Sequence, residues 1–125
     1  MRSGARFPLL VILLLLLPGC GDDLEDMALV ISGTEGMEVE GQYMYVRQAR
    51  RETATYRAPI DRYTVPDTIR LRAHALVGGF RALEGEEGEL VLEMVREGEV
   101  VDRDSAEYAG QWIEVTTHAG ILGRD

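Results

Sequence analysis

His74 and His118 are the only histidines of this 125-residue chain, Cys20 is its only cysteine, and Glu84, Glu86, Glu87 and Glu89 crowd one short stretch. These are the residue types that could hold a metal or act as a nucleophile or base. A zinc centre needs three or four ligands converging on one point. His74 is expected on a strand that also bears arginines and His118 next to the C-terminal tail, so no zinc site is expected from them. The glutamates, interleaved with Gly85 and Gly88, could gather around calcium, but their spacing matches no EF-hand loop. They read as a solvated acidic loop. Asp102 and Asp104 read as strand-end residues, and Asp22, Asp23 and Asp26 as part of a tether. Ser105 lies outside any Gly-x-Ser-x-Gly elbow, and the sequence places no base beside it. Gly78-Gly79 lacks the pattern of a phosphate-cradling loop and reads as a bend after a strand ending at Leu76. No catalytic residue, metal ligand or cofactor is expected.

Binding chemistry has better material. Arg70 and Arg72 fall on one face of a strand, and arginine forks suit carboxylate or phosphate groups. Arg47, Arg50 and Arg51 could add to a basic patch near a turn. Tyr43, Tyr45, Tyr56, Tyr63, Tyr108 and Trp112 could supply a stacking platform, although burial in the core is the simpler use of most of these rings. Arg70, Arg72 and Trp112 are the expected candidate binding surface. The competing use of the arginines is to balance glutamates across neighbouring strands.

The elements that must position these groups are strands. Apolar residues alternate with a period of two, turn residues recur about every ten positions, and no window carries a helical stripe. Met27 to Ser32 is a compact apolar run suited to a strand buried on both faces. Met37, Val39, Gly41, Tyr43 and Tyr45 share one face of the next strand, and Glu52 to Tyr56 makes a short third one after a turn at Arg50-Arg51. Pro59 and Pro66 bracket Ile60 to Val65 and limit it to an edge or a sheet switch. In Thr68 to Leu76, Ile69, Leu71, Ala73 and Ala75 oppose Arg70, Arg72 and His74. Glu89 to Arg96 turns at Glu97-Gly98 and returns through Glu99 to Asp102, the clearest hairpin in the chain. The last strand sets Ile113, Val115 and Thr117 against Trp112, Glu114 and Thr116. Seven or eight short strands in about 95 residues call for two packed layers, because a single open sheet would leave an apolar face bare. The expectation is an all-β, antiparallel β-sandwich, immunoglobulin-like or transthyretin-like, with a small open barrel as the alternative.

The N-terminus carries an address. Arg2 and Arg6 precede an apolar run from Leu9 to Leu17, which is followed by Pro18, Gly19 and Cys20. That is the order of a secretory signal. Nine apolar residues fall well short of the roughly 20 needed to span a bilayer. Leu17-Pro18-Gly19-Cys20 resembles the lipobox of bacterial lipoproteins, with Pro18 as its one departure from the usual pattern. The resemblance implies diacylglyceryl on Cys20, which becomes the new N-terminus, and Gly21 in the following position leans toward the outer membrane. The expected organisation is a signal peptide at 1–19, a lipidated tether at 20–26, a β-sandwich at 27–118 and a flexible tail at 119–125. Further stretches, Ile31-Ser32-Gly33-Thr34-Glu35-Gly36, Gly41-Gln42-Tyr43, Pro59 to Val65, and Gly88 to Glu93 with Gly98 to Val101, resemble small exported β-sandwich lipoproteins. More distantly they resemble the MmpS-type periplasmic accessory proteins that accompany mycobacterial lipid transporters. That likeness implies an accessory or binding role and carries over no catalytic residue.

Charge narrows the partners. From Cys20 onward the chain has 106 residues, with eleven basic against 22 acidic ones and a formal charge of −11. Nucleic acid and anionic lipid surfaces, which both require a basic face, are disfavoured as partners of the domain itself. The expected partners are the membrane, through lipid on Cys20, and an envelope protein. The sequence-based function is a non-enzymatic interaction or accessory module in the bacterial cell envelope, with a small-ligand or glycan-binding domain as the alternative.

Overall fold

Strict alternation along the chain becomes nine strands and no helix in the computed structural model, which describes residues 24–49 and 51–118. The expected signal peptide, Cys20, Gly21 to Asp23, Arg50 and the tail 119–125 lie outside the described residues. The strands are β1 (Glu25–Gly33), β2 (Glu38–Ala49), β3 (Glu52–Arg57), β4 (Asp61–Thr64), β5 (Asp67–Ala73), β6 (Ala75–Ala82), β7 (Leu90–Arg96), β8 (Glu99–Ala106) and β9 (Ile113–Thr116). They form two antiparallel sheets packed face to face. One has the order β5-β1-β7-β8, and the other β3-β2-β6-β9 with β4 also paired to β2. The protein is an antiparallel β-sandwich.

Each layer donates one side-chain parity to a shared core. Met27, Leu29 and Ile31 of β1 and Leu90, Leu92 and Met94 of β7 meet Val39 of β2, Leu76 and Phe80 of β6, and Ile113 and Val115 of β9. Leu29, Ile31, Leu92 and Phe80 have no exposed surface. Each such side chain contributes about 1.5–3 kcal/mol through removal from water, before the cost of ordering it. The tyrosine face of β2 points the same way, and Tyr63 from β4 packs its ring edge-on to Phe80 at 5.3 Å.

The chain from Asp67 to Ala82 differs from the alternation expected through Leu76. Ile69, Leu71 and Ala73 face the core, but at His74 the chain leaves the first sheet and β6 begins the second. The inward parity changes there, from odd to even numbers. Leu76 joins the core, while Ala75 turns outward into a separate cluster with Met44, Val46 and Val77. Gly78-Gly79 is therefore no bend. It lies inside β6, where a Cβ on Gly78 would come within 2.5 Å of Leu29 Cδ2. Glycine is needed there for the close approach of the opposite sheet. This crossing strand brings the observed number to nine.

The β7–β8 hairpin turns at Glu97-Gly98 as expected, with φ of 50° and 83°, the left-handed values that a tight hairpin demands. β1 starts at Glu25, two residues before the expected start of the sandwich.

Candidate functional site

Asp102 and Asp104 each accept two backbone N–H groups, although the sequence placed them only at a strand end. In the structure both lie inside β8 and share the inward parity of Ala106, which pairs with Leu90. Because β8 is the margin of its sheet, inward here means toward β9, the margin of the other sheet. Asp102 Oδ2 accepts the Thr116 N–H at 2.9 Å and Asp104 Oδ2 accepts the Glu114 N–H at 3.4 Å. The remaining oxygens accept from β8 itself, Asp102 Oδ1 from Arg103 N at 2.9 Å and Asp104 Oδ1 from Ser105 N at 3.0 Å. Two facing edges, each with outward N–H groups, are thereby capped by two side chains. Inward-pointing charge on an edge strand also blocks pairing with another chain. The visible signal was Asp-x-Asp within a strand, where aspartate is otherwise disfavoured.

The histidines are held at separate posts. His74 sits at the corner between the sheets. Its N–H donates to Val46 O at 2.8 Å, and its Nδ1 accepts the Gln48 N–H at 2.8 Å. The ring proton of the neutral form is then on Nε2, which is buried and makes no hydrogen bond among the described residues. His118, just after β9, places Nδ1 2.8 Å from Thr117 Oγ1. Burial holds its pKa below the usual imidazole value, and the nearby Arg96 guanidinium lowers it further.

The acidic loop is stitched to the turn between β1 and β2. Glu86 Oε1 accepts the Glu38 N–H at 3.1 Å, while Thr34 Oγ1 accepts the Glu89 N–H at 2.9 Å. Among the described residues no group of three His, Cys, Asp or Glu side chains is placed to hold a metal ion.

Arg70 and Arg72 project from the outer face of β5, beside a groove with Ala28, Val95 and Gly98. Arg72 pairs with Asp26 at 3.2 Å and donates to Leu24 O at 3.1 Å. Trp112 is elsewhere. It precedes β9 at the opposite edge of the sandwich, with the Arg81 guanidinium 5.0 Å from its ring centroid and Arg81 in turn bonded to Glu40 at 2.6 Å. The three residues expected to share a binding surface are thus split between two margins, because β5 and β9 are the outer strands on opposite sides.

A cluster that the sequence left unassembled lies at the end where Leu24 leads into β1. Tyr45 and Tyr56 are cross-strand partners and stack at 4.9 Å, with Tyr43 further along at 6.3 Å from Tyr45. The Arg47 guanidinium lies 5.2 Å from the Tyr45 ring and 5.7 Å from the Tyr56 ring. Its Nε also donates to Arg72 O at 3.0 Å, tying the β2–β3 hairpin to β5. The signal was available: a two-residue connection at 50–51 pairs Ala49 with Glu52, and counting back puts Tyr45 opposite Tyr56. Comparison with protein-family models, with curated proteins and with solved structures returns no match to this chain in any of the three.

Proposed function

We propose that the chain is a bacterial lipoprotein, fastened to a membrane through lipid on Cys20, and that its β-sandwich acts as a non-enzymatic interaction or accessory module of the cell envelope. The observation that carries the reading is the position of Cys20, the only cysteine, between a signal-like segment and a strand that starts at Glu25. The engagement of Asp102, Asp104 and His74 in backbone hydrogen bonds agrees with a scaffold role. Two or more acyl chains, each contributing about 0.8 kcal/mol per buried CH₂, hold a domain stably where one chain does not. Gly21 after the cysteine favours the outer membrane. Labelling with radioactive palmitate and fractionating cells that produce the wild type or Cys20→Ser tests this. Label and membrane association lost together in the variant support it, and an unlabelled, soluble wild type overturns it.

A second reading, binding of a small anionic ligand or glycan, is favoured by Arg70. Its guanidinium has no ion pair or hydrogen bond among the described residues and borders the groove over Ala28 and Val95. Titration calorimetry with acidic oligosaccharides and short acidic peptides, against wild type and Arg70→Ala, tests it. Heat abolished by the substitution supports binding there, and identical isotherms rule it out.

A further inference from the structure

We infer that one particular end of the sandwich rests on the lipid headgroups of the bilayer that carries the tether: the β2–β3 hairpin with Tyr45, Arg47, Arg51 and Tyr56. The inference rests on lipid attachment at Cys20 and adds to it an orientation and a contact surface. Reach comes first. Cys20 and Leu24 are four residues apart, which at about 3.3–3.6 Å per residue spans at most roughly 14 Å. The longest strand, β2, has twelve residues and runs for about 40 Å. Only the end of the domain near Leu24 can therefore be pressed against the membrane when it stands on its tether.

That end is chemically uneven. β2 pairs with β6 only as far as Val46, whereas its pairing with β3 continues to Ala49 and Glu52, so the hairpin projects beyond the body of its sheet. Its tip carries exposed Arg51 and Glu52, and four residues back from the tip lie the stacked Tyr45 and Tyr56, of which Tyr45 packs against the core and Tyr56 is 42% exposed. Tyrosine and arginine are the side chains that bury an apolar body while keeping a polar tip wet, as a headgroup layer requires. The Arg47 to Arg72 to Leu24 chain of hydrogen bonds couples this hairpin directly to the point where the tether begins. Across the same end, the first sheet presents Glu97 and Glu99 in the β7–β8 turn, together with Asp26 and Glu25. Asp26 and Glu25 face Arg72 and Arg96, while the turn glutamates remain exposed. Anionic lipid repels the acidic domain as a whole and that side most, so the tethered domain leans with β2 and β3 toward the bilayer. Trp112 and Tyr108 lie at the far end, beyond the opposite ends of the strands.

The native protein has one tryptophan, which makes the orientation measurable. Processed full-length protein is reconstituted into phosphatidylethanolamine and phosphatidylglycerol vesicles containing brominated phosphatidylcholine, and tryptophan quenching is compared in three forms. The wild type reports from Trp112. Trp112→Phe with Tyr56→Trp, and Trp112→Phe with Arg51→Trp, report from the hairpin, the latter at an exposed position that leaves packing untouched. Mass spectrometry of the N-terminal peptide reads lipid on Cys20 in the same samples. Quenching at 51 and 56 at least about twofold above that at Trp112 is expected for an interfacial contact. Equal quenching at both ends of a lipidated protein overturns the orientation and leaves the anchor standing. An unmodified Cys20 in protein that does not stay with vesicles overturns the anchor, and this inference with it.

Discussion

Asp102 on β8 accepts the backbone N–H of Thr116 on β9 at 2.9 Å, although the two strands belong to different sheets. With Asp104 and Glu114 two residues along in antiparallel sense, it makes a ladder in which side-chain carboxylates replace a neighbouring strand's carbonyls. The sandwich is closed on this margin by chemistry that its apolar core does not supply.

Removing one rung exposes its worth. Asp102→Ala leaves the N–H groups of Thr116 and Arg103 without that acceptor, and hydrogen bonds to charged groups contribute about 1.5–3 kcal/mol. The urea midpoint of the variant is expected to fall by an amount matching about 2 kcal/mol with an unchanged m-value, and Asp102→Asn, which keeps one acceptor oxygen, should lose less. An unshifted midpoint in Asp102→Ala would show the ladder to be decorative.

Gly41 is the second test of packing. A Cβ built there runs into the Phe80 ring and the Gly79 carbonyl oxygen. Since the carbonyl belongs to a paired strand and cannot swing aside, Gly41→Ala is expected to cost about 3 kcal/mol or more, at the upper end of overpacking effects. Gly36→Ala meets nothing within 4 Å, although its φ of +86° penalises a side chain, and should cost less. Thermal melts of the two variants should rank in that order.

His118 makes stability pH-dependent in a defined direction. Its folded pKa lies below the unfolded value of about 6.5, because burial and Arg96 disfavour the charged ring. On acidification the unfolded chain takes up this proton first, so stability falls as pH drops from about 6.5 toward the folded pKa and levels off below it. Denaturation midpoints at about pH 7.5 and about pH 5.5 should differ more for the wild type than for His118→Gln, whose side chain does not titrate. Equal differences in the two proteins would refute the assignment.

At the corner between the sheets, His74→Phe should be destabilising despite its similar bulk. The Gln48 N–H, in a part-buried position, loses its acceptor, and leaving such a donor unsatisfied is expected to cost about 1 kcal/mol, the lower end of the penalty for a buried one. His74→Asn, with a carbonyl oxygen near the position of Nδ1, is expected to recover part of the loss. Hydrogen exchange at Gln48 provides the readout: faster exchange in Phe, partial protection in Asn.

Much of the architecture was legible because alternation is a local signal. Each residue's face follows from its neighbours two places away, so the inward sets of β2, β7 and β9 could be read directly, and the β7–β8 turn from Glu97-Gly98. The apolar run of β1 offered no such choice, and the fold made Met27, Leu29 and Ile31 its core face while Val30 stays partly exposed. The binding surface was not legible in this way. Arg70 and Arg72 were correctly given a solvent face, yet grouping them with Trp112 required knowing that β5 and β9 are opposite margins. Strand order is decided by pairings between segments far apart in the chain, and no window of sequence contains it.

The residues by themselves determined the two-layered antiparallel class, the polar and apolar faces of most strands, and the expectation that Cys20 is an attachment point, since these depend on period, turn chemistry and position. Only the tertiary structure decided that inward parity changes at His74, that Gly78-Gly79 lies within a strand, that Asp102 and Asp104 seal β8 against β9, and that Arg47 lies over Tyr45 and Tyr56. In each case the cause is a contact across the fold: a close approach of sheets, an edge that needs acceptors, or a register that brings distant side chains together. Such requirements come into being only when the layers meet.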